Sequence, residues 1–389
     1  MRILLFIILM PSLFISCSNN DRTDDIITTF EIDRRIAAGS LILNAEHKAI
    51  LAYENNGEHG IVIVDLEARE ITDEVKIDDM TLYLYGVNRS NTVFAFWTEK
   101  NHEELILFND LNGWKSGDSE KTILLKAENL RPELQYPRFL LMNVIEKDND
   151  FLMAYTISFE GYLAKIDENL NVNENDLFGK GRQYYLSSKD NELIASYLSI
   201  AARDENEPDP QPEGDSIFFQ KSGDGGATWE PEVLVHRSGD KGGQVPQILY
   251  IDDELHIVWL RDTRNGALFN EVMHSYSLDG GLTWAESNVI GSYPPQNEIF
   301  GMSTTSDGSQ MLHVLYRQGE QLTATEHNIK YLYWDKHSRS WSGTKQLMRT
   351  GRSRTIDAKV DSQNKLHLMW GGGALTDSSS RHHYKTIQY

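Results

Sequence analysis

The sequence predicts an all-β chain folded as a seven-bladed β-propeller of four-stranded antiparallel sheets, on three observations. A strand ending on an aromatic recurs seven times, at Tyr53, Phe96, Tyr155, Tyr197, Trp259, Tyr316 and Trp370. Each copy follows a short polar turn and precedes a loop and a further strand, and six of those strands end in an acidic turn, at Asp65, Asp110, Asp167, Asp224, Asp279 and Asp335. These turns fall 45 to 57 residues apart, the length of one blade of strands and turns. Finally, the last repeat stops at Tyr389 on its third strand, while Ile26–Ile32 near the start forms an unused strand. Pairing the two completes the seventh blade and removes free sheet edges.

The turns between the first two strands of each unit carry Asp, Asn or Gly, as in Lys189-Asp190-Asn191 and Asp307-Gly308, residues that accept the backbone of a tight hairpin. No long stretch shows the 3.6-residue apolar period of an amphipathic helix. Hydrophobic residues make up 40% and charged residues 24%, which suits a folded core and not a disordered chain. The formal charge of −21 repels nucleic acid and anionic membrane surfaces, so an anionic ligand would need a pocket of clustered Arg.

Cys17 is the one cysteine, so neither an intramolecular disulfide nor a cysteine zinc site can form. It follows Arg2, the apolar run Ile3–Met10 and the small residue Ser16, an arrangement that reads as a signal peptide. A small residue before a lone Cys resembles the lipobox of bacterial lipoproteins, although Phe14 is unusual three positions before the Cys. The resemblance implies lipid on Cys17 and a place on the outer membrane or surface of a bacterial envelope. The expected organisation is therefore a leader over residues 1–17, an acidic tether over 18–24 and a propeller over 25–389.

Two acidic turns share one motif, Ser-x-Asp-x-Gly-x-Thr-Trp: Ser222, Asp224, Gly226, Thr228 and Trp229 in one, Ser277, Asp279, Gly281, Thr283 and Trp284 in the other. Asp caps turn amides, Gly supplies a backbone shape that other residues resist, and Trp wedges beside the sheet. Asp335 to Trp341 and Asp110 to Trp114 resemble weaker copies. The motif is similar to the Asp-box, or BNR repeat, of sialidase-like propellers, where it is a structural turn on the outer rim. The resemblance implies a glycan-facing protein. It departs from sialidases where their chemistry resides: Arg35-Ile36-Ala37 lacks the Pro of the Arg-Ile-Pro motif, and no Glu stands near Gly181-Arg182, where the catalytic one would fall. Sialidase activity is therefore not expected.

A propeller brings the starts of its inner strands together around the axis. Here those starts carry Arg35, Arg138, Arg182 with Tyr184, Gln247, and Arg354 with Asp357. Guanidinium forks bind carboxylate or sulfate and Tyr stacks on sugar rings, so these residues form a candidate subsite for an acidic glycan; alternatively the Arg pair with neighbouring carboxylates. Arg261, Asp262, Arg317 and His327 lie on loops of the same face and are expected at the rim. Asp357 and His327 are the candidates for proton transfer. His256, His313 and His367 occupy equivalent second-strand positions, which points to packing. No metal-ligand spacing, phosphate loop or nucleophile elbow is present, and no cofactor is expected. Two classes remain. One is a glycoside hydrolase, with carboxylates paired across the axis, or a lyase, with Tyr or His beside Arg. The other is a non-catalytic propeller binding a glycan or a protein in an envelope complex.

Overall fold

The computed structural model describes residues 27–32, 35–43, 47–55, 57–77, 84–89, 92–99, 103–109, 122–135, 137–157, 160–167, 169–199, 216–237, 243–262, 269–294, 298–319, 326–351, 355–372 and 380–388. Cys17, the tether and Arg354 lie outside them, as does the weaker turn copy Asp110 to Trp114. Seven antiparallel sheets form a ring. Six blades follow one another along the chain, and the seventh combines Ile356–Val360, Lys365–Gly372 and Ser380–Gln388 with the N-terminal strand Thr28–Ile32. That strand pairs antiparallel with Ser380–Gln388, Thr28 opposite Tyr384 and Ile32 opposite Ser380, so the ring closes as the sequence predicts. In the sixth blade the outer edge is split between Ser340–Trp341 and Lys345–Gly351. Among the described residues no helix is long and apolar enough to cross a membrane.

Position within a blade dictates composition. The second strands are sandwiched between neighbouring sheets, and both their faces are apolar: every residue from Phe151 to Ile157 is buried. Outer strands such as Glu70–Ile77 meet solvent and are mixed. All seven repeated aromatics are buried, none more than 2% exposed. Each fully buried large aromatic contributes a few kcal/mol, about 2–3 by transfer of its area, so the repeat also marks a recurring share of the interblade stabilisation.

The hairpin turns at the ends of the inner strands, and the acidic turns after the third strands, lie on one face of the disc. Loops leading into the inner strands lie on the other. Both Ser-x-Asp-x-Gly-x-Thr-Trp turns adopt the same bonding. Ser222 Oγ donates to Asp224 at 2.8 Å and accepts the Gly226 N–H at 2.8 Å, while Asp224 accepts the Thr228 N–H at 2.9 Å and its hydroxyl at 2.6 Å. Ser277, Asp279, Gly281 and Thr283 repeat the pattern. These hydroxyl and amide donors hold the Asp224 and Asp279 carboxyls down at about 2. The second glycine is required twice over. Gly281 has φ +94°, and a Cβ there would lie 2.1 Å from the Phe219 ring of the preceding blade. The turn is thus an interblade joint, with Trp284 meeting the same ring edge-on at 5.3 Å.

The three equivalent histidines are buried packing groups. His313 Nδ1 bonds the Tyr331 hydroxyl at 2.9 Å and His367 Nδ1 that of Tyr384. In the fifth blade a second histidine takes the place of tyrosine: His256 Nδ1 lies 3.0 Å from His274 Nε2.

Candidate functional site

The inner strands of all seven blades line an axial channel of about 420 Å³. Its wall is mostly small and uncharged, and includes Ser40, Asn143, Tyr185, Gln247, Ser303 and Asp357. Inner strands of neighbouring blades do not share a backbone ladder, because each belongs to a separate sheet. Their polar side chains fill that role. Asn143 in the third blade bonds both the N–H and the C=O of Leu186 in the fourth, at 3.0 and 2.8 Å. Gln183 in the fourth accepts the Val245 N–H of the fifth at 2.7 Å. Gln247 in the fifth accepts the Thr304 N–H of the sixth at 2.8 Å and its hydroxyl at 2.6 Å. Ser303 in the sixth accepts the Ala358 N–H of the seventh at 3.0 Å, and Asp357 in the seventh accepts the Leu41 N–H of the first at 2.7 Å. Among the described residues this makes a head-to-tail belt across five consecutive junctions.

The belt assigns Asp357 and Gln247 their bonds. Both line the channel, but Asp357 divides its oxygens between Leu41 N–H and Ser40 on one side and Ser303 and its own neighbour's N–H on the other. The Lys359 ammonium lies beside it and donates to the carbonyls of Leu41 and Gly86. Burial lowers the Lys359 pKa and Asp357 opposes that shift. Among the described lining residues Asp357 is the one carboxylate, so no second carboxyl group faces it across the axis.

Tyr184 does not line the channel. It is buried between blades, stacked at 4.7 Å on Tyr197, and a Cβ on Gly161 would meet its ring. Tyr185 faces the channel instead. Burial, with Asp357 nearby, pushes the Tyr185 hydroxyl pKa up. The one-residue difference has a local cause: pairing with the second strand jumps from Arg182 to Tyr185, and Gln183 takes a φ of 56°. Such a bulge reverses which side chains face the axis. Val245 marks the same device in the fifth blade, with φ 52°.

Arg35 and Arg182 begin their inner strands on the loop face, and their side chains lie outside the described set. Arg138 is exposed on that face, immediately before the strand Phe139–Lys147. Arg261 is paired with Glu271 at 2.5 Å, and Asp262 is fully buried. Arg317 and His327 sit together in the sixth blade against Phe300: the His327 ring stacks on it at 4.6 Å, and Arg317 lies 5.9 Å from its centroid and bonds its carbonyl. Both are nearly buried, at 6% and 2% exposure, so this pair is packed beneath the loop face and not presented on it. Sequence reasoning missed Asn143, Gln183 and Ser303; a signal exists for Asn143, the polar residue in the middle of the apolar run Phe139–Ile145.

No family model matches the chain, and no curated protein sequence does. Solved structures match its fold along nearly its whole length. A protein of unknown function from Dyadobacter fermentans aligns with a TM-score of 0.54 at 10% identity, over 93% of this chain and 99% of its own. The hydrazine synthase of Kuenenia stuttgartiensis aligns at 0.55 and 10% identity, covering 96% and 98%. The β-propeller domain of Cps50 (Swd1) from Myceliophteria thermophila aligns at 0.52 and 10% identity, covering 94% and 99%. These likenesses are of fold alone.

Proposed function

We propose that this chain is a binding propeller of a bacterial envelope, tethered by lipid on Cys17, that holds an acidic glycan on its loop face without cleaving it. The carrying observation is the belt. The polar groups a reaction would draw on at the axis, Asp357 and Gln247, are each committed to the backbone of the next blade. A carboxylate accepting from two N–H groups and two hydroxyls is poorly placed to exchange protons with a ligand, and hydrolysis by paired carboxylates has no second partner among the described channel residues. The two regular turns support kinship with the Asp-box propellers, and they serve there as joints. Exposed Arg138, with Arg182 at the start of the next blade's inner strand and Arg35 at that of the first, supports an acidic ligand at the mouth.

The test is incubation of the full-length protein with acidic and neutral oligosaccharides, read both for binding and for new reducing ends or unsaturated products. Binding of the acidic members without product is expected. Product formation would make the chain an enzyme, and absence of binding to any glycan would leave a protein partner as the ligand. Membrane retention of a Cys17→Ala variant tests the anchor separately; release into the soluble fraction is expected.

A further inference from the structure

Where the ring closes, His47, Asp361 and His367 bring two imidazole nitrogens and a carboxylate oxygen within 4.8 Å of one another. His47 ends the hairpin turn of the first blade. Asp361 opens that of the seventh, and His367 stands on the strand that follows, Lys365–Gly372. Asp361 Oδ2 lies 2.9 Å from His367 Nε2 and 4.0 Å from His47 Nε2. The two rings are 4.5 Å apart between centroids. We propose that these three side chains bind a divalent transition-metal ion of zinc type, which clips the first hairpin to the last.

The donor set suits such an ion: two imidazoles and a carboxylate, with the fourth position of a tetrahedron left to water. Bonds of the usual zinc length place ligand atoms about 3.3 Å apart. The Asp361–His367 spacing is close to that already, so the needed movement falls on His47, about an ångström inward. His47 is half-buried at the end of a turn, where its ring can swing.

The surrounding contacts hold the other two ligands in place. Asp361 Oδ1 accepts the N–H groups of Gln363 and Lys365, at 2.8 and 2.9 Å, which directs Oδ2 at the rings. The Nδ1 of His367 bonds the Tyr384 hydroxyl, the kind of outer contact that fixes a ligating imidazole. Without metal, His367 Nε2 donates to Asp361 and Nδ1 accepts from Tyr384; with metal on Nε2 the neutral ring's proton moves to Nδ1 and is donated to the tyrosine oxygen, so no net proton is lost from His367.

Comparison within the repeat strengthens the inference. The sixth blade carries the corresponding residues, with His313 on Tyr331 and Asp307 in the turn. The last hairpin residue of the blade beside it, at the place of His47, is Asn364. The second imidazole thus occurs at the closing seam, and among the described residues no second group of three such ligands is found. The ligands come from opposite ends of the sequence, so no local spacing reveals them.

The test uses the untagged full-length protein in detergent, stripped with a chelator and titrated with Zn²⁺ by calorimetry. Co²⁺ absorbance reports the geometry and the thermal midpoint reports the clip. One Zn²⁺ per chain, a tetrahedral Co²⁺ band and a midpoint raised by several degrees are expected. His47→Asn keeps a residue that tolerates the φ of 43° at that position, and Asp361→Asn keeps an acceptor for the turn. Each should weaken Zn²⁺ binding at least tenfold and abolish the metal-induced rise, with metal-free midpoints near that of the parent. Failure of the parent to bind Zn²⁺ at micromolar concentration, or undiminished binding in both variants, would overturn the proposal.

Discussion

The junction between the fifth and sixth blades and the seam between the seventh and first solve the same problem with different chemistry. At the former, the neutral amide of Gln247 bonds Thr304 at the axis, and the Asp335–Trp341 turn docks farther out, Trp341 Nε1 donating to His274 Nδ1 at 3.2 Å while Lys336 and Arg339 pair with Asp252 and Glu254 at 2.7 and 3.1 Å. At the seam the latch is a carboxylate, Asp357, helped by the Lys359 ammonium. One junction is covered by continuous chain within a run of similar blades. The other must hold two chain ends, and hydrogen bonds to charged groups are the stronger kind. The comparison teaches that both junctions use charge, but at the seam it sits at the axis, whereas between the fifth and sixth blades it sits in the Asp335–Trp341 turn.

The largest expected effect comes from breaking the seam outright. Deleting residues 27–32 removes Phe30 and Ile32, both buried, and leaves the seventh blade an open edge. Loss of a single cooperative unfolding transition by circular dichroism is expected; a retained sharp transition would show that the ring does not depend on its last strand. Next, Asp357→Ala leaves the Leu41 N–H without its acceptor and should cost about 2–3 kcal/mol in urea unfolding, against about 1–2 kcal/mol for Gln247→Ala. Equal losses would erase the distinction between the two junctions.

What the sequence revealed follows from what repeats. The aromatics from Tyr53 to Trp370, the two Ser-x-Asp turns and the donated strand recur or complement one another, so their places were legible, and with them the fold. The channel was legible only in part. Asp357 and Gln247 could be placed at the axis by counting from the repeat, but counting failed at Tyr184, because a bulge at Gln183 shifts the phase by one residue. Nor does a sequence show which way a side chain's hydrogen bonds run. Asp357 reads as a reactive group until Leu41, from the opposite end of the chain, is seen to bond it.

Acid separates the junctions further. Burial holds His274 down at about 3 and His256 well below 6.5. The folded values lie below the unfolded one, so the unfolded chain takes up protons first. Stability is full above about pH 6.5 and falls as the pH drops toward about 3. At pH 5 the His274 shift alone withholds about 2 kcal/mol. His274→Tyr copies the arrangement of the sixth and seventh blades, where Tyr331 and Tyr384 hold the partner histidine. A shallower decline of the thermal midpoint between pH 6.5 and 4 is expected, and an unchanged decline would place the acid sensitivity elsewhere.

The smallest effect belongs to the Ser-x-Asp turns, which are local and exposed. Asp224 and Asp279 have folded values depressed from 3.8 to about 2, so their contribution is present above about pH 4 and lost as the pH falls toward 2. Asp224→Asn with Asp279→Asn should lower the midpoint slightly at neutral pH and flatten its fall between pH 4 and 2. A midpoint–pH curve parallel to the parent's in that range would deny the two carboxylates any part in acid stability.

The direction of one strand also bears on the proposed lipid anchor. Thr28–Ile32 runs from the hairpin face toward the loop face before the chain turns into Arg35–Ile42. The polypeptide therefore enters the disc from the side bearing the Ser-x-Asp turns. On the proposed anchor, a lipid on Cys17 would lie ten residues before Ile27, a leash of about 35 Å at full extension. Held that way, the disc would rest with its turn-bearing side toward the bilayer, and the mouth of the channel, with Arg138, would look out into the surrounding medium like an upturned dish.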